Sequence, residues 1–556
     1  MSVLSKSRLF GSERFDPYVK SANTTSSERW LGYFFGPMGA AILNTTLISY
    51  LNVFYTDVLN LTNSFAWAAA FMTLFPILSK VIDAITNIIM GQIIEKTRTR
   101  QGKARPWIFL SAPLMSIATI LLFLIPREHS VLQFVLVALT YNIFFSLAYT
   151  MYNMSHTLMV PLSTSNVRQR DALSLFTNMG VNMIPGVIVS LLFPMVLMPV
   201  LGYDYDKWLT AMIIIAAIAL PFTVLEYFFT KERVTEAAAS AGELKTISFR
   251  EQLKICFGSR YWVLMILFMF LYNMMANMMT ISLPYFCNWV LGTYNDGITQ
   301  TMLSAVGKAP LGFGVFLLWP LVKKFGKRKV MIVGFLIAAA AEAICWIGSH
   351  SLSMMLAGSF LYAIGFLPSY VYSALMADTL DYIEYKDKVR VDGLTASIFT
   401  IIGTVTVGIG QGIFNFGLSS SGYEAPRLIE EGVYNVQNAA TQNFISLAYI
   451  GIPMIALVLM AVIMIFLKVE NLLPEIHEEL TARRKAECEA RGEVYVSPEE
   501  RAAQEQAEQD RIAEEKRIEE LKALCQTKGL NFAEEEAKYQ AKLKEKQEKA
   551  AKKNRK

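Results

Sequence analysis

The stretch DAITNIIMGQIIEKTRTRQGKARPW, residues 83–107, joins an apolar run that contains an acid to a dense basic loop. A charge inside a membrane-spanning helix is costly, so it usually serves a function there. The loop at 96–105 carries five basic residues, which is typical of a cytoplasmic turn between two membrane helices. Together these features predict a multi-span transporter whose second span buries an ion-coupling carboxylate, Asp83.

The composition of the chain agrees with a membrane protein. Its 556 residues are 54% hydrophobic and 17% charged, with a mean hydropathy of +0.37, values that do not suit a soluble protein of this size. The five cysteines show no paired spacing, so we predict neither a disulfide framework nor a metal site. No nucleotide-binding or catalytic motif is present, and we expect no enzyme activity, no cofactor and no nucleic-acid partner.

Twelve apolar segments are long enough to cross a bilayer. They predict an all-α membrane protein with twelve transmembrane helices in two six-helix halves, followed by a charged helical cytoplasmic tail. The predicted parts are a polar N-terminal segment (1–30), the first half (31–230), a cytoplasmic linker (231–258), the second half (259–467) and the tail (468–556).

Two related basic turns indicate an internal repeat. GQIIEKTRTRQGKARP joins spans 2 and 3, and LVKKFGKRKV joins spans 8 and 9, six helices later. Two six-helix halves of this kind are typical of transporters built from parallel repeats. Because basic loops face the cytoplasm, both termini are predicted to be cytoplasmic and the protein to lie in the cell (inner) membrane.

The second span offers a candidate cation site. Thr86 and Asn87 follow Asp83 by three and four residues, so the three side chains share one helical face. One carboxylate with neutral oxygens can hold Na⁺, and the carboxylate alone can carry a proton. Lys80 lies three residues earlier on the same face, so the alternative is a structural Lys80–Asp83 pair with no transported ion.

Uncharged polar side chains in several spans are candidates for binding a sugar. Amides and hydroxyls both donate and accept hydrogen bonds, as sugar hydroxyls require, although such residues also join membrane helices to one another. Lys308 either snorkels outward or binds an anionic substrate group, and Glu342 is a weaker cavity candidate because span 9 is peripheral. The substrate-binding candidates are Asn44, Asn153, His156, Asn178, Asn273, Asn277, Lys308, Thr400 and Thr404.

Four motifs between residues 30 and 467 resemble the glycoside–pentoside–hexuronide:cation symporters, the melibiose-permease-like branch of the major facilitator superfamily. The resemblance implies a twelve-helix transporter that moves a sugar or sugar derivative with Na⁺ or H⁺ by alternating access. The motifs are YFFGPMGAAILNTTLISYLNVFYTDVLNL (33–61), DAITNIIMGQIIEKTRTRQGKARPW (83–107), MVPLSTSNVRQRDAL (159–173) and MADTLDYIEYKDKVRVDG (376–393).

The resemblance also implies roles for individual residues. The family's cation site falls on Asp83, Thr86, Asn87 and Thr150, with H⁺ or Na⁺ as coupling ion and no metal beyond a transported Na⁺. The family often has a second acid where this chain has Asn87, and that departure favours a proton or weak coupling. The cytoplasmic gate, a charge network between the halves, falls on Glu95, Arg98, Asp381, Glu384 and Arg390.

The sugar site departs from the melibiose type. The charged sugar-binding positions of that type correspond here to residues near Ala41, Asn153 and Asn178, and a helix-11 lysine becomes Thr404. An amide-rich pocket fits a neutral glycoside or oligosaccharide, and an inward Lys308 would favour a uronide.

Two other functions remain open at this point. The same fold suits a transporter of lysolipids or other amphipaths, and a transport-inactive sensor or scaffold would use the tail as its output. The tail is either a solvated helical extension or a docking helix for a partner or for anionic lipid headgroups. We expect a monomer in the bilayer with a small-molecule substrate.

Overall fold

A computed structural model describes most of the chain. It divides into two compact units, residues 1–478 and 479–556, which we describe separately. The described residues are 16–19, 21, 23–128, 130–164, 167–233, 249–389, 391–430, 433–490, 511, 514–515, 517–519, 521–522, 525–526 and 531–537.

The first unit is almost entirely helical. Eleven helices in its described part are long and apolar enough to cross a membrane. A further helix of 28 residues occupies the place of the predicted eighth span, so the structure is compatible with twelve. The long helices are α1 Glu28–Val58, α2 Ala68–Lys96, α3 Arg105–Phe123, α4 Val131–Ser163, α5 Gln169–Leu201, α6 Tyr205–Phe229, α7 Arg260–Leu291, α8 Ile298–Phe325, α9 Lys327–Ile347, α10 Leu352–Asp387, α11 Gly393–Ser420 and α12 Ala439–Arg483.

Shorter elements join or follow these helices. A short helix, Phe249–Gly258, precedes α7 within the predicted linker, and an antiparallel hairpin lies between α11 and α12. The hairpin strands are β1 Leu428–Glu430 and β2 Val433–Tyr434. A helix at Leu473–Ala490 overlaps the end of α12 and begins inside the predicted tail.

Polar residues begin several of the apolar helices. The side chains of Ser130, Asp204 and Asn438 accept hydrogen bonds from backbone N–H groups in the first turns of α4, α6 and α12. The first N–H groups of a helix have no partner within it, so these caps satisfy donors that would otherwise be exposed near the membrane.

The predicted repeat appears as one capping arrangement used twice. Glu232, which follows α6, accepts hydrogen bonds of 2.9 to 3.0 Å from the backbone N–H groups of residues 103–105, which lead into α3. Glu470 likewise accepts bonds of 2.8 and 3.0 Å from the N–H groups of Lys327 and Arg328 at the start of α9. Arg105 then donates to the carbonyl oxygen of Tyr227 near the end of α6, and Arg328 donates to that of Met464 on α12. The basic turns of the two halves are therefore held by the same kind of hydrogen bonds.

Small residues bring helices close together within and between the halves. Gly36 lets α1 approach α6, since a Cβ there would lie 2.6 Å from the Cβ of Glu226. Gly412 does the same for α11 against α2, where a Cβ would lie 2.5 Å from the carbonyl oxygen of Thr73. Close backbone approach of this kind is a common basis for helix packing in membranes. The second contact joins the two halves.

The second unit is described only in part. Its helix at 532–537 begins after Asn531, whose side chain accepts a 3.0 Å hydrogen bond from the N–H of Ala533. Arg517 forms ion pairs of 2.7 Å with Glu514 and 2.6 Å with Glu536.

Candidate functional site

The two halves enclose a cavity of about 330 Å³, which we call the central cavity. Its wall combines apolar side chains, amides, hydroxyls and tyrosine rings with one carboxylate and one ammonium group. Contributions come from α1, α2 and α4 of the first half and from α7 and α11 of the second. The lining residues are Asn44, Leu47, Ile48, Leu51, Lys80, Asp83, Asn87, Tyr141, Phe145, Tyr149, Thr150, Asn153, Asn277, Ile281, Thr400, Gly403, Thr404, Val407 and Gln411.

Asp83 is the charged centre of this wall. It is 5% exposed, and one carboxylate oxygen lies 2.5 Å from the Nζ of Lys80. The other oxygen accepts a hydrogen bond from Ser146 on α4. The Lys80 ammonium also lies 4.5 Å from the ring centre of Phe145 and 5.6 Å from that of Tyr141. Pairing and cation–π contacts offset the cost of burying both charges.

A second buried carboxylate lies in a hydrogen-bonded cluster at one end of the helix bundle. Asp57, at the end of α1, accepts hydrogen bonds of 2.6 Å from Tyr423, 3.3 Å from Tyr294 and 2.7 Å from Thr56. Tyr294 and Tyr423 belong to the second half, so this cluster bridges the halves. Burial raises the pKa of both phenols well above the usual range, and both therefore remain protonated donors.

Neighbouring contacts extend this closure. Asn52 donates a 2.9 Å hydrogen bond to the hydroxyl of Tyr285 on α7, and Gln300 on α8 donates one of 2.9 Å to Tyr50 on α1. These residues and the Asp57 cluster form what we call the Asp57 seal. The seal lies at the end of the bundle opposite the basic turns, because α1 and α7 run from the basic-turn end toward it.

The central cavity opens toward the other end. Asn153 and Thr400 are the lining residues of α4 and α11 that lie nearest in sequence to the basic-turn end of each helix, and both are exposed. The structure is therefore closed at the Asp57 seal and accessible from the basic-turn end. Under the predicted orientation, this is an inward-facing state.

Many of the sequence-predicted site residues meet in the central cavity. Three of the four cation-site residues line it, namely Asp83, Asn87 and Thr150. The substrate candidates that line it are Asn44, Asn153, Asn277, Thr400 and Thr404. The structure thus brings together residues from five helices that the sequence could only name separately.

Other candidates lie elsewhere or make local contacts. Thr86 donates to the carbonyl oxygen of Asp83 at 3.0 Å, and Asn273 donates to that of Met269 at 2.8 Å. Asn178 is exposed and accepts a 3.1 Å hydrogen bond from Asn182. The side chain of Lys308 lies outside the described residues.

His156 is not among the lining residues of the central cavity and contacts a buried carboxyl group instead. Its Nδ1 lies 2.6 Å from Glu226 on α6, and Tyr152 donates a 2.7 Å hydrogen bond to the same carboxylate. Glu226 is fully buried. This arrangement gives His156 a structural position between α4 and α6 rather than a place in the cavity wall.

The predicted cytoplasmic gate lies at the basic-turn end. Arg98 donates a 3.0 Å hydrogen bond to the carbonyl oxygen of Thr97, and Asp381 lies 3.6 Å from the Nε2 of His477. Glu95 and Glu384 occupy the same end of α2 and α10. Arg390 lies outside the described residues, and the network joining these groups across the halves stays a prediction.

Several residues in the site are not among those that the sequence predicted. Ser146 contacts Asp83, and Tyr141 and Phe145 surround Lys80. Asp57 was visible as an acid in an apolar run, within the FYTDV motif, but its partners in the second half are more than 200 residues away.

Comparison with known proteins agrees with this architecture. A profile of the family described as MFS/sugar transport protein matches residues 32–471. The chain belongs to this sugar-transport family. As a member, it is a multi-span transporter of the major facilitator superfamily, and the predicted family resemblance and fold class are confirmed.

Relatives of this sugar transporter include two bacterial proteins of known or proposed transport type. It is 27% identical over 466 residues to an isoprimeverose transporter of Lactiplantibacillus pentosus, covering 81% of this chain and 90% of the relative. It is 24% identical over 469 residues to a putative glycoside/cation symporter of Escherichia coli (strain K12), covering 83% and 96%. The fold is also similar to that of a D-xylose-proton symporter, with a TM-score of 0.53 and 15% identity over 77% of this chain and 95% of that one.

Proposed function

We propose that this sugar-transport family member is a secondary active symporter that moves a sugar or glycoside together with H⁺ or Na⁺. The observation that supports it best is the position of Asp83, a buried carboxylate in the wall of a cavity that both halves form. A carboxylate at this position can bind a cation and contact the substrate space at the same time. Ion binding and substrate binding would then share one conformational equilibrium.

The contact between Asp83 and Lys80 suggests how the ion is released. In this state the ammonium group of Lys80 lies 2.5 Å from the carboxylate and supplies its counter-charge. A transported cation must replace that group, because two positive charges at one carboxylate repel each other. We infer that Lys80 displaces the ion in the inward-facing state, and that the ion displaces Lys80 when the other side is open.

The central cavity supports a sugar as the substrate. Its volume of about 330 Å³ falls within the range of small-molecule sites. The amides of Asn44, Asn153 and Asn277 and the hydroxyl of Thr404 match sugar hydroxyls, while Tyr149 offers an aromatic face. Lys80 adds a cation that could bind the carboxylate of a uronide once Asp83 is neutralised.

Uptake by liposomes containing the purified protein tests this proposal. The panel holds neutral glycosides, oligosaccharides, uronides and a lysolipid. The variants are Asn153→Ala and, as a control at an exposed residue of α6 outside the cavity lining, Thr210→Val. Loss of one substrate hydrogen bond costs about 1 kcal/mol, so KM for the transported sugar should rise roughly fivefold in Asn153→Ala and stay unchanged in the control. Transport of the lysolipid alone, or of nothing, would contradict the proposal.

A further inference from the structure

A second cavity lies between the halves near the Asp57 seal. Its volume is about 220 Å³, and we call it the seal cavity. Ser49 and Tyr50 of α1 and Val189 and Ser190 of α5 form its wall on one side, and the second half forms the rest. It shares no lining residue with the central cavity.

Glu342 on α9 lines the seal cavity. It is 4% exposed, and within the described part of the chain its carboxyl group forms no hydrogen bond or ion pair. The hydroxyl of Ser304, which lines the same cavity, is also buried without a hydrogen-bond partner among the described residues. Two polar groups thus face one cavity with unused hydrogen-bonding capacity.

The charge state of Glu342 follows from its surroundings. The described lining residues include no Lys, Arg or His, and the titratable groups nearest the carboxyl are Cys345, Tyr362, Tyr449 and Tyr50. These groups are neutral, so no described lining group supplies a counter-charge; the side chain of Lys308, next to the lining residue Gly307, lies outside the described residues. An ionised carboxylate buried without a counter-charge is strongly disfavoured, and a buried acid in such a place takes up a proton instead.

The same site would lose its enclosure when the seal opens. The hydrogen bond of 2.9 Å from Gln300 to Tyr50 joins the two walls of the seal cavity, and Thr301 donates one of 3.1 Å to the carbonyl oxygen of Leu191 on α5. Separating the halves at this end removes the wall that α1 and α5 supply. Glu342 lies five residues before the end of α9 at Ile347, roughly 7.5 Å along the helix axis, so water entering from that end would reach it.

We propose that Glu342 is a second proton-binding site of this transporter, loaded from the outer solution when the seal is open and carried neutral into the sealed state. The proposal rests on the alternating access of the proposed function. It assigns a second proton-binding group, on a different helix from Asp83, to the same transport cycle. Protonation favours the sealed state, because only the neutral acid is compatible with the closed cavity. Raising the outer pH therefore favours the open state.

Cys345 offers a direct readout, since it lines the seal cavity one turn after Glu342 and is 2% exposed. We would keep Cys345 as the sole cysteine and measure its rate of labelling by a membrane-impermeant maleimide, without sugar, between pH 6 and 8. Dividing the rate of the Glu342 protein by that of Glu342→Gln at each pH removes the intrinsic pH dependence of the thiol. The expected ratio rises with pH, by up to about tenfold per unit for one linked proton.

Two controls keep the outcome interpretable. Glu342→Asp retains a titrating group and should retain the rising ratio. Asp83→Asn removes the coupling carboxylate and should still show a ratio that rises with pH, which separates this site from the coupling site of the proposed function. A ratio that does not change with pH, or a Cys345 that is never labelled, overturns the proposal. Failure of sugar transport with a rising ratio would instead overturn the proposed function and leave this site standing.

Discussion

The Tyr423 phenol donates a 2.6 Å hydrogen bond to Asp57, and so ties the segment after α11 to the end of α1. The two residues belong to different halves and are both buried. Such a bond must break before the halves can separate at this end. Its strength therefore contributes to the balance between the sealed state and the state that opens to the other side.

Removing this hydroxyl should shift that balance toward the open state. A hydrogen bond to a charged acceptor contributes about 1.5 to 3 kcal/mol, so Tyr423→Phe should change the equilibrium by roughly 10- to 150-fold. Spin labels at the exposed residues Lys207 and Glu424 would report the change as a longer distance distribution. Tyr203→Phe, at a partly exposed tyrosine of the same end, serves as the control and should leave the distances unchanged.

The Lys80–Asp83 pair should have separable structural and coupling roles. Lys80→Met leaves a buried carboxylate without its counter-charge, which should lower the free energy of unfolding by about 3 to 5 kcal/mol. The double variant Lys80→Met/Asp83→Leu removes both charges, and thermal unfolding should show most of the stability restored. Ion-driven sugar uptake should be absent in the double variant, because the coupling carboxylate has been removed. Recovery of both properties together would mean that the pair has no part in coupling.

Asn87 should determine how strongly Na⁺ is used. It lines the central cavity one turn from Asp83, so Asn87→Asp would place two carboxylates beside one site. Because hard cations prefer several oxygen ligands and negative charge, Na⁺ should then stimulate uptake more strongly at low millimolar concentrations. The matched control is Asn178→Asp, outside the cavity lining. Equal Na⁺ dependence in all three proteins would place the ion site elsewhere.

The close contact of α2 with α11 should be sensitive to one methyl group. A Cβ at Gly412 would lie 2.5 Å from the carbonyl oxygen of Thr73, whereas a Cβ at Gly393, on the same helix, would meet nothing within 4 Å. Overpacking of this kind costs about 1 to 3 kcal/mol, so Gly412→Ala should lower Tm and slow transport. Gly393→Ala should do neither, and an equal effect of the two changes would count against the contact.

The sequence predicted the features that depend on local pattern. The acid in an apolar run identified Asp83, and the spacing of Asn87 placed it on the same face. The two basic turns predicted the repeat, which the matching caps by Glu232 and Glu470 now explain. Each of these patterns can be read within one short segment of the chain, and the assignment of Asp83 and Asn87 to a cation site stays a prediction.

The features that escaped prediction depend on contacts between distant segments. Tyr423 meets Asp57 across 366 residues, and Ser146 meets Asp83 across 63. His156 has a side chain that could bind a sugar, and the sequence therefore predicts it as a substrate residue. In the structure it contacts the buried Glu226 on another helix instead. Glu342 lies in a cavity although span 9 is peripheral, because α1 and α5 of the other half cover it.

Sugar-driven ion entry tests the central claim most directly. The purified protein and Asp83→Asn would be placed in liposomes with an internal pH or Na⁺ indicator and exposed to each transported sugar without an imposed ion gradient. We predict that sugar addition drives H⁺ or Na⁺ inward with the native protein and that the ion signal is lost in Asp83→Asn. Sugar entry without ion movement in the native protein, or ion entry that survives in Asp83→Asn, would contradict coupling through this carboxylate.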